Sequence, residues 1–355
     1  MILSLINITI LFASAQGASI TVDAPEQLRF GGYGEATYRN LESGTDTFDI
    51  HRVILYMGYD FDDTWTFDAE FEFEHGNETY VEFAQIDGKF SDEMNFRTGH
   101  LLVPMGLINR NHEPTNFWGP VRPLVEQKII PSTWHENGMG VFGTSGDMSY
   151  EVYIMNGFDD DIDFSNSAFR SGRQKGVKAN AENMAVVASL DYQVTPGLSI
   201  GGSMYSQKIE SAAAEHGVDI VEAHLQYDSG AFRTRALMVK GTVDNAANLD
   251  AHTASNEAAT GTVWDDFGAD ADDDVSGMYV EFGYDLMSHS ENESLTPFFR
   301  HETYEHNGAD MGANVLGVSY MPNPNIAYKL GLQSINADDS ENNEDNIEFT
   351  VGWRF

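Results

Sequence analysis

With 355 residues, a formal charge of −37 and a pI near 4.3, the chain repels nucleic acid phosphates, so DNA and RNA are excluded as partners. Cysteine is absent, which removes disulfides, thiolate nucleophiles and cysteine-based zinc sites together. The 15 Tyr and 22 Phe are too many for an acidic disordered polymer and demand a large covered apolar surface.

In chain order, Ile2 to Phe12 is apolar, broken only by Ser4, Asn7 and Thr9. This run is too short to span a bilayer as a helix, which needs about 20 residues. Ala13-Ser14-Ala15 follows as a small-x-small cleavage site. Residues 1–15 are therefore expected to be a signal peptide and 16–355 the mature domain, the rival being a buried first strand or helix.

From residue 27 onward no long segment keeps helical period, and alternating segments recur instead. In "TWTFDAEFEFE", Trp65, Phe67, Ala69, Phe71 and Phe73 share one face, while Asp68, Glu70, Glu72 and Glu74 form an acidic column on the other. "DIVEAHLQY" sets Val221, Ala223, Leu225 and Tyr227 against Glu222, His224 and Gln226. Strands are predicted near 27–39, 50–61, 64–75, 79–90, 94–102, 137–144, 147–156, 182–193, 197–207, 218–228, 230–242, 275–287, 295–305, 314–321, 325–335 and 346–355. Of these, 94–102, 230–242 and 295–305 do not alternate cleanly. Tight turns such as Asp62-Asp63, Ser145-Gly146 and Thr195-Pro196 alternate with longer polar segments. About sixteen strands, joined alternately by short turns and long loops, predict an all-β fold: a transmembrane antiparallel β-barrel. The final "NIEFTVGWRF" alternates to Phe355, so the last strand is expected to pair with the first and close the barrel. Trp353 and Phe355 then fall at the membrane interface, where aromatic rings form a girdle.

The segment 103–136 is rich in Pro, Trp and apolar residues, unlike a solvated tip, and is expected to fold into the pore as its constriction. Its charges are Arg110, Glu113, Arg122, Glu126, Lys128 and Glu136. The alternative is a lid or subunit contact outside. The pore wall is expected to carry Arg29, Arg52, Arg97, Arg233 and Arg235 with Asp68, Glu70, Glu72 and Glu74, besides Glu35, Asp60, Glu281, Asp285 and Glu348. Charges of both signs across a pore orient polar solutes.

Catalysis is not expected, because an acidic ladder at period two is a solvated strand face before it is a carboxylate pair. No metal or cofactor site is expected. His112-Glu113 and His135-Glu136 lack metal-ligand spacing, and Asp270, Asp272, Asp274 and Glu281 put Val275 where a calcium loop needs Gly. The acidic pieces Asp159–Asp161, Asp270–Asp274 and Asp338–Asp339 read as solvated loops with at most weak divalent affinity.

The stretch 94–143 carries a more specific signal: Arg97-Thr98-Gly99 ending a strand, Pro104-Met105-Gly106, Arg122-Pro123-Leu124, Ile130-Pro131-Ser132 and a return strand from Gly138. It resembles the phosphate-selective porin O/P family, and the alternating strands resemble bacterial porins generally. The resemblance implies a sixteen-stranded barrel, usually a trimer, with a loop in the pore and terminal aromatic residues, here Trp353 and Phe355, as the assembly signal. Phosphate-selective members have Lys- and Arg-rich linings, whereas most lysines here, such as Lys89, Lys175, Lys178 and Lys208, lie in or near loops or turns. The expected function is passive diffusion of ions and small hydrophilic solutes across a Gram-negative outer membrane. The expected partners are outer-membrane lipid and lipopolysaccharide, the barrel-assembly machinery, two further copies in a homotrimer, and the solutes themselves. The rivals are a secreted, lectin-like all-β binding protein and an outer-membrane barrel enzyme. The acidic excess also predicts a mild cation preference at low salt.

Overall fold

The structure, a computed structural model, describes residues 8–11, 19–22, 26–42, 44–159, 162, 164, 168–210, 215–244, 246, 274–306, 309–337 and 343–355. Two short strands, β1 (Ile8–Leu11) and β2 (Ser19–Val22), pair with each other. Sixteen more follow. They are β3 (Leu28–Asn40), β4 (Thr47–Asp60), β5 (Trp65–Glu74), β6 (Glu78–Lys89), β7 (Asn95–Leu102), β8 (His135–Ser145), β9 (Met148–Asn156) and β10 (Met184–Thr195), then β11 (Leu198–Glu210), β12 (Glu215–Ser229), β13 (Phe232–Val243), β14 (Asp274–Tyr284), β15 (Ser294–His306), β16 (Ala309–Asn323), β17 (Ile326–Ala337) and β18 (Glu344–Arg354). A single helical turn, α1 (Val125–Lys128), lies between β7 and β8.

Every barrel strand pairs antiparallel with its neighbours in sequence, and β18 pairs with β3, so β3–β18 form a closed sixteen-stranded barrel. Closure leaves no edge, and the ladder satisfies the backbone. The outward residues are apolar and exposed along the barrel, among them Phe73, Ile154, Leu190, Val221, Met238, Leu316 and Ile347. A monomer in water rarely exposes so much contiguous apolar surface, whereas hydrocarbon covers it at no penalty. The fold is therefore a transmembrane β-barrel.

The closing seam explains two glycines. A Cβ on Gly34 would meet the Trp353 ring at 2.7 Å, and one on Gly32 would meet Phe355 Cζ at 2.9 Å. Gly32 and Phe355 exchange both backbone hydrogen bonds, at 3.0 and 2.8 Å. Phe355 and Trp353 thus lie over β3, at the end where the short turns cluster. Aromatics gather at the same end: Trp65 against Phe90 at 5.8 Å, Tyr59 against Phe61 at 5.3 Å, Phe232 against Phe282 at 6.4 Å and Tyr320 against Tyr328 at 6.5 Å. That girdle is what an interface with lipid headgroups favours.

The predicted strands match the observed ones closely. The largest difference is at Ala309, where β16 starts five residues before the expected 314. Short and long connections alternate less strictly than expected. On the long-loop side, β5 and β6 are joined by the tight turn His75-Gly76-Asn77, while 285–293 on the turn side is longer. Of the acidic loop pieces, Asp160, Asp161, Asp270, Asp272, Asp273, Asp338 and Asp339 lie outside the described residues. Asp274 pairs with Lys240 at 2.8 Å.

Candidate functional site: two loops and a charged cavity

The chain leaves β7 at Leu102 and rejoins the barrel at His135. The neck of this excursion is closed by Val103 N–H donating to Trp134 O at 3.0 Å. Asn109 braces it: its Nδ2 donates to Val103 O (2.8 Å) and Trp134 O (3.1 Å), and its Oδ1 accepts from Trp134 N (2.6 Å). Beyond the neck, Met105, Leu107, Val125, Ile129 and Ile130 join one apolar cluster with Tyr205, Ile220, Leu237 and Tyr279, which belong to β11–β14 and alternate with exposed outward residues. The apolar composition of the segment is therefore matched by apolar patches on the inward strand faces.

An irregular segment packed this way carries buried carbonyls that no ladder satisfies, and each orphan costs about 1–3 kcal/mol. Wall side chains supply the donors. Arg52 Nη2 donates to His112 O (2.6 Å), Arg235 Nη2 to Asn116 O (2.6 Å), Arg300 Nη1 to Val121 O (3.3 Å) and Thr350 Oγ1 to Pro120 O (2.9 Å). Lys329 Nζ lies 3.5 Å from the centre of the Phe117 ring, and Arg235 stacks over Trp118 at 5.0 Å. These cations come from β4, β13, β15 and β17, so the segment is tied to many sides of the wall.

Carboxylates of the wall and of the segment itself take the free N–H groups. Glu302 Oε2 accepts from Leu124 N (2.6 Å) and Val125 N (3.4 Å) at the start of α1. Glu126, fully buried, accepts from Ile108 N and from Tyr279 OH, both at 2.6 Å. Burial pushes the Glu126 carboxyl up to about 7, with those two donors acting the other way. His112 Nε2 lies 2.6 Å from Glu82 Oε1 and 2.6 Å from Tyr33 OH, which also donates to Glu70 at 2.9 Å.

The connection between β9 and β10 also packs on this segment. Arg173 Nη1 donates to Pro131 O (2.9 Å) and Thr133 O (2.8 Å), and Arg170 Nη1 to Ser132 O (3.0 Å) and Gln127 O (3.2 Å). Glu136 Oε1 accepts from the backbone N–H of Gln174 (2.8 Å) and Lys175 (3.1 Å). Trp134 stacks on Phe158 at 4.9 Å and 13°, and Phe158 on Phe169 at 5.3 Å. Sequence patterning missed this second loop. Its advance signal was four basic residues, Arg170, Arg173, Lys175 and Lys178, in an acidic chain.

Between the two loops and strands β3–β6 lies a cavity of about 760 Å³. Its lining holds six basic side chains, Arg39, Arg52, Arg122, Arg170, Arg173 and Lys175, and four acidic ones, Glu35, Asp49, Glu72 and Glu74. The lining thus has a basic surplus, opposite in sign to the whole chain. Burial, with Arg52 beside it, lowers Arg122 to about 10, and burial with Arg170 alongside lowers Arg173 to about 9. Both remain cationic at neutral pH.

Of the expected constriction charges, Arg122 lines this cavity, donating to Thr133 Oγ1 at 3.1 Å. Arg110 instead pairs with Asp191 at 2.7 Å. Glu113 accepts from Asn116 Nδ2 at 2.6 Å, Lys128 closes α1, and Glu126 and Glu136 serve as buried acceptors, none of them in the lining. Of the expected wall charges, Glu35, Arg52, Glu72 and Glu74 line the cavity. Arg29 pairs with Asp60 and, at 2.8 Å, with Asp68 near the turn side. Arg97 is bidentate to Asp87 at 2.8 Å, and Arg233 pairs with Asp228 at 3.1 Å. Arg300 and Glu302, which sequence reading did not single out, form a fully buried pair at 2.7 Å beside Glu281.

No family model matches the chain. An uncharacterised protein of Aquifex aeolicus (strain VF5) is 28% identical over 366 residues, covering 95% of this chain and 82% of that one. Among solved structures, the trimer form of OmpT, an outer membrane protein of Vibrio cholerae, aligns with a TM-score of 0.60 at 10% identity, covering 92% of this chain and 99% of that one. The anion-selective porin from Comamonas acidovorans aligns with a TM-score of 0.60 at 11% identity over the same shares. The chain therefore shares its barrel fold with these outer-membrane proteins.

Proposed function

We propose that the protein is an outer-membrane porin, passing ions and small hydrophilic solutes by diffusion, with 103–136 as its constriction and no chemistry on the solute. The observation that carries this reading is the charged cavity bounded by β3–β6 on one side and by inward-packed loops on the other. Basic side chains from the loops face Glu72 and Glu74 across it, an arrangement that orients dipolar solutes. The apolar outer surface argues against a secreted lectin-like protein, which needs a wet exterior. Export to a Gram-negative outer membrane through a cleaved segment 1–15, contact with lipopolysaccharide, folding by the assembly machinery with Trp353 and Phe355 as its signal, and a homotrimer complete the proposal. The trimer form of the Vibrio cholerae neighbour supports that last element. Purified protein in planar bilayers should give stepwise conductances, and proteoliposomes should swell in small sugars. Folded protein that yields neither overturns the porin reading.

A further inference from the structure

Three side chains that the loops do not use meet at the edge of the cavity. Asp49 and His51 sit two residues apart on β4 and so share a face. His75 reaches them from the turn between β5 and β6, its backbone N–H donating to His51 O at 3.1 Å. His75 Nδ1 lies 2.6 Å from Asp49 Oδ2, His51 Nδ1 lies 3.8 Å from the same oxygen, and the two rings are 5.5 Å apart. One ligand atom from each residue lies within 4.8 Å of the others. All three line the cavity and are partly exposed to it.

The turn gives a second, independent reason to look here. His75 and Gly76 have φ of +51° and +74°, and Asn77 N donates to Glu74 O at 3.2 Å, the pattern of a tight hairpin that favours Asn-Gly. A histidine stands where Asn would be relaxed, and its ring is directed across to Asp49. A buried cluster of Glu70, Glu82 and His112 also gathers ligand atoms, but Tyr33 hydrogen-bonds within it and Arg52 Nη1 stands 4.0 Å from Glu82, so its charge is already answered.

We propose that Asp49, His51 and His75 bind a divalent transition-metal ion of the Zn²⁺, Ni²⁺ or Cu²⁺ class. Two imidazoles and a carboxylate suit those ions, whereas Mg²⁺ and Ca²⁺ prefer all-oxygen sites. Three protein ligands leave a position open to the cavity for water or a passing anion. Glu74 Oε1, 3.9 Å from His75 Nε2, adds negative charge beside the ion.

The test is calorimetric titration of the full-length, detergent-solubilised barrel with ZnCl₂, NiCl₂ and MgCl₂ at pH 7.5, with folding checked by heat-modifiable mobility. One Zn²⁺ per chain is expected, with no response to Mg²⁺. His51→Ala and His75→Ala should each weaken Zn²⁺ by about tenfold or more, since even outer-sphere partners of a metal contribute that much. Absence of Zn²⁺ binding, equal competition by Mg²⁺, or unchanged Zn²⁺ binding in the folded His51→Ala/His75→Ala double variant overturns the proposal. This readout does not depend on conduction. A barrel that binds Zn²⁺ yet passes no current keeps the metal site and loses the porin reading.

Discussion

The two loops that pack together make an instructive pair. The loop between β7 and β8 is proline-rich and aromatic, and its carbonyls are held by Arg52, Arg235 and Arg300 from the wall. Among the described residues, the loop between β9 and β10 is tied to the wall by neutral side chains instead: Phe158 N–H donates to Gln207 Oε1 at 2.8 Å, Gln207 Nε2 donates to Phe158 O at 2.9 Å, and Asn137 Nδ2 donates to Gly176 O at 3.3 Å. It is also bound to the first loop, through Arg170 and Arg173 to that loop's carbonyls and through Phe158 on Trp134. Both loops are anchored to the barrel, the first through buried cations and the second through amides and the Glu136 carboxylate of β8, and they share one packed interface.

The strongest way to separate the two loops' contributions is removal. Replacing 103–136 by a Gly-Ser turn should raise single-channel conductance most and admit larger sugars. The same replacement of 157–183 should raise it less. A larger effect from the second loop would reverse the order, and no effect from the first would show that it is not the constriction.

Trp134 joins the two loops, and Trp134→Ala should destabilise their packing by about 3–5 kcal/mol, as for other buried Trp truncations. Phe158→Ala should add less in that background than alone, because the two rings are in contact. Additive losses, read from denaturant midpoints, would mean that the loops are independent.

Charge gives a smaller signal. Arg122→Glu should shift the reversal potential toward cations with little effect on folding. Arg173→Glu should shift it and also increase current noise, because Arg173 holds Pro131 O and Thr133 O. In both, the preference set by the acidic exterior should fade as the screening length falls to about 3 Å at 1 M salt. Equal noise in the two variants would contradict the tie.

The smallest expected effect concerns Glu126. Its folded-state value, raised to about 7 from an ordinary 4.5, means that the folded form holds its proton more tightly. The stabilisation from the neutral acid is complete below the ordinary value and is lost as pH rises through about 7. Glu126→Gln mimics the neutral form and should flatten this part of the melting-temperature profile between pH 5 and about 8. Identical profiles for both proteins would remove Glu126 as the cause.

The strands were legible because each outward face is apolar for lipid, so period two survives along the barrel. It blurs where the inward face is apolar too. On β15, Phe298 is buried inward, Phe299 is outward, and Arg300 is inward and fully buried, which hides the alternation expected over 295–305. The packing of 103–136 was legible from its proline and tryptophan content. The roles of its acids were not, because a carboxylate facing water and one accepting buried N–H groups, as Glu126 does, look alike in sequence. Arg300, Lys329 and Arg173 were missed for the same reason: a lone cation reveals its task only when the carbonyl or ring it meets is known. The metal cluster was invisible to spacing, since His75 is brought to Asp49 and His51 by strand register.

Arg52, Arg170 and Arg173 hold carbonyls of the first loop and also line the cavity, so the barrel's skeleton and its dial overlap at these three cations and part elsewhere. Arg235, Arg300 and Lys329 cannot change without loosening the loop. Arg122, Lys175, Glu72 and Glu74 line the cavity without holding those carbonyls to the wall. On the proposed reading, exchanging the second group retunes the cavity for another solute while the first keeps the loop in place.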